Sequence, residues 1–328
     1  MNTVTNLEGY EAALSSAAFY VQPGAGTLRL GGTDRIAFLQ RQTTNDLNRL
    51  APERSVVTVL TSPMARILDV LRLLGEEDSL TAITLPGRGS ATAHFLISHI
   101  FFMDKVTVTD LSAEFAQIDL EGPNAQKFLP RLGFDHTPDL DEFISGNLAD
   151  FPLRAIGQPG FAGLGYRLIL PVHKVDEVTS ALVGQEVAAM TDEIYHTLRV
   201  EAGVTAPQSE LTEEYTPLEV GLDWAVAEDK GCYTGQEVIA RQITYDKVTQ
   251  HLAGLRLSTP AQPGEHIWFE GKSVGTVTSV AHSPRFGEIA LAILKRPHHQ
   301  PDTTISIGES QAQSAPATVS ELPFNPVK

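Results

Sequence analysis

The chain has 328 residues, 42% of them apolar and 20% charged, with 24 Lys and Arg against 40 Asp and Glu for a net charge of −16. That length accommodates two or three domains at roughly 100–200 residues each, and the charge excludes a broad basic face for wrapping duplex nucleic acid. The single cysteine excludes an internal disulfide, a CxxC-type zinc site and a self-contained iron–sulfur cluster, which takes several thiolates from its own protein.

From the N-terminus, Glu8 to Ala18 reads as a short helix and Thr27-Leu28-Arg29-Leu30 as a strand. Arg29 is the first basic residue, so the start of the chain lacks the charged region of a secretory signal. No apolar run approaches the ~18 residues of a membrane helix. The expectation is a soluble, cytoplasmic protein without membrane contact and without a metal site. Gly31-Gly32 turns the chain, and Thr33 with Asp34 caps a helix carrying Ile36, Phe38 and Leu39. Val56 to Leu60, Arg66 to Leu74 and Leu80 to Leu85 follow as strands, with a turn at Ser62-Pro63-Met64-Ala65. Ser90 to Phe102 reads as helix and Lys105 to Thr109 as extended chain.

Ninety residues on, the first pattern returns. Ile118 to Gly122 is a strand and turn, then Pro123-Asn124-Ala125 opens a helix with Phe128-Leu129. The offsets Leu30→Gly32→Phe38-Leu39 and Leu120→Gly122→Phe128-Leu129 coincide, which predicts two related α+β halves. Leu153 to Ile156 and Tyr166 to Leu170 are strand-like. The glycines between them, Gly157, Gly160, Gly163 and Gly165, mark either a flexible loop or a ligand-facing one.

Thr191 starts a helix that carries Asp192 and Glu193 in its first turn, where the dipole favours anions, and stops at Gly203. Glu201 opposes that dipole in the last turn, and Arg199 stands close enough in sequence to offset it. Glu201 is either a solvated surface residue or a carboxylate aimed into a cleft to accept paired N–H groups of a heterocycle.

Lys230-Gly231-Cys232-Tyr233-Thr234-Gly235-Gln236-Glu237 concentrates the most chemistry. Cys232 lies on a Gly-flanked loop feeding a helix N-terminus with Lys230 two residues away, surroundings that favour a thiolate. The alternative is a buried structural cysteine acting as a small hydrophobe. From Val248 the texture changes to short strands at Ala253–Leu257, 267–269, 274–280 and 289–294, with 317–324 as a last strand, which predicts a small β-barrel or sandwich. The expected division is 1–246 for the α+β region and 247–328 for the barrel.

Several motifs fall away. Glu193-x-x-His196 is one copy of a spacing that di-iron bundles need twice, and His298-His299 reads as a solvated pair. There is no GxxxxGK[ST], HExxH or GxSxG, which removes P-loop phosphoryl transfer and the common zincin and hydrolase readings.

The block Lys230 to Glu237, continuing to Arg241, resembles the signature of YgfZ-type folate-binding proteins, relatives of the glycine-cleavage T-protein, an aminomethyltransferase. Gly32-Thr33-Asp34 through Thr44-Asn45-Asp46 resembles the N-terminal block of that family. Arg199-Val200-Glu201-Ala202-Gly203 and Thr216-Pro217-Leu218-Glu219 resemble two further blocks, and Gly275 to Ser279 with Ala290-Leu291-Ala292 the appended barrel. The resemblance implies a cloverleaf of two α+β domains around a central tetrahydrofolate cleft plus a C-terminal β-barrel. It implies cofactor contacts from Glu201, which would accept the pterin N–H groups, and from Asp69, Tyr233, Gln236 and Arg241, with Cys232 and Lys230 carrying the chemistry.

What the YgfZ resemblance implies in function is assembly or repair of iron–sulfur clusters in other enzymes, with indirect effects on tRNA modification. Its partners would be folate and iron–sulfur client or assembly proteins, and the chain itself a monomer. The alternatives are a folate-dependent aminomethyltransferase and a non-catalytic scaffold. Against aminomethyl transfer stands Val70, at the place of the T-protein's second carboxylate, with Asp69 one residue off and so on the opposite strand face.

Overall fold

A computed structural model describes residues 7–324. It divides into two compact units, one of residues 1–61, 68–195 and 229–234, the other of 62–67, 196–228 and 235–328. Among the described residues no helix is long and apolar enough to cross a membrane.

The first unit opens with α1 (Glu8–Ser15), β1 (Ala18–Val21), β2 (Gly26–Gly31) and α2 (Arg35–Gln42), then β3 (Ser55–Thr61), β4 (Ile67–Gly75), β5 (Ser79–Thr84), α3 (Gly89–Ser98) and β6 (Thr107–Asp110). β7 (Phe115–Glu121), a 3-10 helix over Ala125–Leu132, β8 (Phe143–Leu148), β9 (Phe151–Gly160), β10 (Gly163–Pro171), α4 (Val175–Val183) and β11 (Ala188–Ala189) complete it, with the start of α5 (Asp192–Glu201). The strands form a five-stranded sheet, β3-β4-β5-β2-β6, and a six-stranded sheet, β11-β1-β7-β10-β9-β8. Leu28, Leu30, Phe38, Leu39, Leu71 and Leu73 anchor one core, and Ile118, Leu120, Leu129, Tyr166 and Leu168 the other.

The expected repeat extends to the backbone. Gly32 and Gly122 both take positive φ, +95° and +110°. A Cβ on Gly32 would lie 1.9 Å from the Lys105 carbonyl oxygen, and one on Gly122 2.6 Å from that of Ser16. Two residues later, Asp34 N–H donates to Lys105 O and Asn124 N–H to Ser16 O, while Arg35 and Ala125 donate back to the glycine carbonyls. The copies part afterwards, because the second contains Pro130, which has no N–H, and forms a 3-10 helix where the first forms α2.

Three expectations shift. The helix expected to Ala18 stops at Ser15, and Ala18 begins a strand. The helix expected to reach Phe102 ends at Ser98, since a turn closes over Phe101 to Asp104: Asp104 N–H donates to Phe101 O, and its carboxylate accepts Phe101 N–H. The glycine-rich stretch is neither loop, because β9 and β10 pair in register from Gly160↔Gly163 to Arg154↔Ile169.

The second unit holds the end of α5, α6 (Gln236–Thr244) and six strands: β12 (Gln250–Leu257), β13 (His266–Phe269), β14 (Lys272–Ser283), β15 (Gly287–Lys295), β16 (Thr304–Gly308) and β17 (Ala315–Ser320). They close into a barrel in the order β12-β15-β14-β13-β16-β17, the seam being the antiparallel β12–β17 pair. Leu255, Ile267, Val277, Ala292, Ile307 and Val319 fill it.

Candidate functional site

The Cys232 loop, residues 229–234, belongs to the first unit. Thr234 N–H donates to Arg41 O at 3.0 Å, and the Thr61 hydroxyl donates to Thr234 O at 2.7 Å. Lys230 Nζ donates to three main-chain carbonyls, Gln40 O at 2.9 Å, Thr43 O at 2.7 Å and Asn45 O at 2.7 Å. It also stands 4.9 Å from the centre of the buried Tyr233 ring. Burial pushes the Lys230 ammonium down to about 8 against the pull of Asp46, and burial pushes the Tyr233 phenol up to about 12. Between these two buried residues, Gly231 and Cys232 are exposed. The buried structural reading of the cysteine does not hold. Lys230 fastens the loop to the last turn of α2 and the segment after it, with its three donors committed to carbonyls.

Asp69 faces inward. Its burial alternates with its neighbours along β4, placing it on the side of Leu71 and Leu73 while Val70 is half-buried on the other. Its carboxylate accepts the N–H groups of Val70 at 2.8 Å and Leu85 at 3.0 Å and the Thr92 hydroxyl, bracing β4 against β5 and α3. Burial pushes it up to about 6 although these donors and Arg88 favour the charged form.

Glu201, in the second unit, is buried rather than solvated. One oxygen accepts the Ser283 hydroxyl at 2.6 Å, and the other accepts two N–H groups of Arg285, Nε at 3.2 Å and Nη2. Arg285, half-exposed, supplies the charge that answers the helix dipole. Arg199 is engaged elsewhere. It pairs with fully buried Glu210 at 3.2 Å, bonds the Ser279 hydroxyl at 2.7 Å and faces His196 Nδ1 at 3.2 Å.

Gln236 opens α6, and Arg241, one turn on, is exposed and paired with Glu237 at 2.6 Å. The Thr216 to Glu219 block is a capping box: Thr216 N–H donates to the Glu219 carboxylate at 2.9 Å, and Pro217 sits where no N–H is needed. Of the residues expected at the site, Asp69, Lys230, Cys232 and Tyr233 thus belong to the first unit, and Glu201, Gln236 and Arg241 to the second. Among the described residues no cluster of three or more His, Cys, Asp or Glu is arranged to hold a metal ion.

One cluster went unread in the sequence. Asp119 is fully buried on β7 and takes a bidentate pair from Arg167 on β10, at 2.7 and 2.8 Å. Gln22 Nε2 and the Tyr195 hydroxyl donate to the same carboxylate, at 2.5 and 3.1 Å. Tyr195 stacks on Tyr20 with ring centres 4.1 Å apart, and Phe161 meets it edge-on at 5.2 Å. Glu121, two residues along the strand, accepts Phe161 N–H at 3.0 Å and fits where β9 and β10 carry Gly160 and Gly165. A Cβ on Gly160 would lie 2.4 Å from its carboxylate. Burial, then the Asp119 charge, pushes Glu121 up to about 8. Burial works to raise Asp119 as well, but Arg167 overrides it and holds that carboxyl below its usual range. The readable signal was two acids alternating with Ile118 and Leu120, which places both on one strand face.

Comparison with known proteins supplies the family. The GCVT N-terminal domain matches residues 8–230, and the glycine cleavage T-protein C-terminal barrel domain matches residues 250–325. A putative transferase of Arabidopsis thaliana, described as chloroplastic, is 29% identical over 91% of this chain and 69% of its own length. An aminomethyltransferase of Thermus thermophilus is 30% identical over 92% of this chain and 85% of its own, and one of Rippkaea orientalis 28% over 91% and 84%. The crystal structure of the glycine cleavage system aminomethyltransferase T from Bartonella henselae superposes with a TM-score of 0.86 over 97% of this chain and 89% of that one, at 20% identity. With the N-terminal match covering well over half its length, the chain belongs to the GCVT family, whose aminomethyltransferases use tetrahydrofolate.

Proposed function

We propose that this chain binds tetrahydrofolate and handles a one-carbon unit on it, in the manner of the aminomethyltransferases among its relatives. The observation that carries the reading is Glu201: a buried carboxylate braced by Ser283 and Arg285, the state in which an acceptor is held rigid for a pair of N–H donors. In this reading Glu201 takes the pterin edge in exchange for its contacts to the half-exposed Arg285, and Asp69, held by the Val70 and Leu85 N–H groups and the Thr92 hydroxyl, stays a brace. When bound, the folate supplies the nitrogen that carries the one-carbon unit. Titration calorimetry tests the reading: tetrahydrofolate binds wild type, and Glu201→Ala lowers affinity at least tenfold. No heat with wild type would end it. Aminomethyl transfer is the first activity to assay.

A second reading, the YgfZ-type role in assembly or repair of iron–sulfur clusters in other enzymes, draws on the exposed Cys232 on its anchored loop. Val70 supports it too, by leaving the strand without a second carboxylate at that place. In cells lacking the endogenous factor, it expects wild type to restore iron–sulfur enzyme activities and Cys232→Ala to fail. A cytoplasmic, monomeric protein serving such clients belongs to this second reading.

A further inference from the structure

The two groups that hold Glu201 differ in kind. Its Oε1 takes the Ser283 hydroxyl, and its Oε2 takes both Arg285 donors, Nε and Nη2. Ser283 is buried at the end of β14, and its oxygen accepts the N–H groups of Arg285 at 3.1 Å and Phe286 at 2.9 Å. Those two contacts engage its lone pairs, so its own proton is directed at Glu201. Arg285 instead reaches the carboxylate by a flexible stem, from the exposed turn that joins β14 to β15 and that the Ser283↔Gly287 pair closes. The ion pair is lopsided, with the Glu201 side chain 2% exposed and that of Arg285 45%. Ser283 is fixed by its turn, and Arg285 is placed where it can be exchanged.

What Arg285 offers Glu201 is two N–H groups side by side on one planar frame of carbon and nitrogen. The 2-amino-4-oxopyrimidine edge of a pterin offers the same pair, its ring N–H and the neighbouring amino group. The guanidinium therefore stands on Glu201 as that edge would, and Phe286, whose ring centre lies 4.9 Å from the guanidinium carbon, steadies it there. A competitor tethered to its own site acts at an effective concentration on the order of millimolar. Arg285 does not leave unprompted, because that would strand a carboxylate charge in a buried position. It leaves when another donor pair takes its place. The Arg285 N–H stays on the Ser283 oxygen meanwhile, so the exchange is a rotation of the side chain with the turn in place.

We infer that Arg285 is an internal cap on Glu201, a built-in mimic of the two-donor pterin edge that the ligand displaces in order to bind. The inference rests on the folate reading of Glu201, and its test separates the two. Were Arg285 only a brace, its loss would loosen Glu201 as loss of Ser283 does, and both substitutions would weaken binding. A cap gives opposite signs. Titration calorimetry on the full-length protein compares wild type, Arg285→Ala and Ser283→Ala. Arg285→Ala is expected to bind tetrahydrofolate about tenfold tighter, since the carboxylate is no longer occupied by its own side chain, and Ser283→Ala to bind it more weakly. Millimolar guanidinium chloride, set against equal sodium chloride, is expected to compete with tetrahydrofolate in Arg285→Ala and to leave wild type unchanged, because the free ion refills the place only where the tethered one is gone. Arg285→Gln, which keeps the stem without the charge, takes over both measurements where Arg285→Ala does not fold, with the same directions expected. Equal or weaker binding by the folded Arg285 variant, or no competition by guanidinium there, overturns the cap and leaves Glu201 as the folate contact. Absence of tetrahydrofolate binding by wild type ends the folate reading itself, and the cap with it.

Discussion

The ammonium of Lys230 lies 2.7 Å from the carbonyl oxygen of Thr43, a contact that spans 187 residues of chain. With the Gln40 and Asn45 carbonyls it uses all three N–H donors of the side chain. Lys230→Met keeps the length of the stem and removes the donors, leaving three acceptors unmatched at about 1 kcal/mol or more each. Urea unfolding should show that loss. Alkylation of Cys232 should change together with it, because the loop is no longer held. A variant as stable as wild type would show that water replaces the ammonium without cost.

The acid pair on β7 makes a pH prediction. The Glu121 carboxyl is ordinary at 4.5 in the unfolded chain and pushed up to about 8 in the fold by burial and by Asp119. A raised acid holds an extra proton in the folded state. Its contribution is complete below 4.5, declines as pH rises between the two values, and is lost above about 8. The facing groups are Asp119, Arg167 and Tyr195. Glu121→Gln should match wild type near pH 5 and exceed it at pH 9 by on the order of 2–4 kcal/mol. Thermal melts across that range decide it: an unchanged slope with pH removes Glu121 as the cause. Asp119→Asn should instead destabilise at every pH, because it leaves Arg167 buried and unpaired, at about 3–5 kcal/mol.

Asp69 and Glu201 separate brace from site. Asp69→Ala removes acceptors for Val70, Leu85 and Thr92 and should cost about 2–4 kcal/mol of stability. Tetrahydrofolate affinity, measured well below the melting temperature, should stay within about twofold. Glu201→Gln keeps the shape but not the charge opposite Arg285, and affinity should fall. A reversal, with Asp69→Ala abolishing binding and Glu201→Gln sparing it, would relocate the folate contact to the first unit.

What the sequence made legible follows from range. Apolar residues at period two mark β2 and β4, which could be read from Leu28, Leu30, Leu71 and Leu73, while β5 and β7, buried on both faces, could be read from the apolar residues around Leu80 and Leu120, as could most barrel strands. β8 and β16 were not, since Gly146 and Asn147 interrupt one and only Ile305 and Ile307 mark the other. The awkward position of Glu201 was visible, but its partner was not: Arg285 lies 84 residues away. Lys230 misled in the opposite way. Its nearness to Cys232 in sequence suggested chemistry, whereas its donors go to carbonyls more than 180 residues distant.

The duplicated turn gives the sharpest stability test. Gly32 and Gly122 both need positive φ and both touch a carbonyl oxygen from a distant segment, Lys105 and Ser16. Alanine at either site meets two costs, the left-handed backbone at about 1–2 kcal/mol and the overlap with that oxygen. The overlap is the deeper at Gly32, 1.9 Å against 2.6 Å, and neither oxygen sits on a flexible side-chain end that can swing aside. Gly32→Ala should therefore destabilise more than Gly122→Ala, and both more than Gly163→Ala, where φ is +116° but nothing lies within 4 Å. Ranking the three by chemical denaturation isolates the packing cost from the backbone cost. Equal losses at all three sites would mean that backbone strain alone fixes these glycines and that the shared hydrogen-bond pattern of the two halves adds nothing.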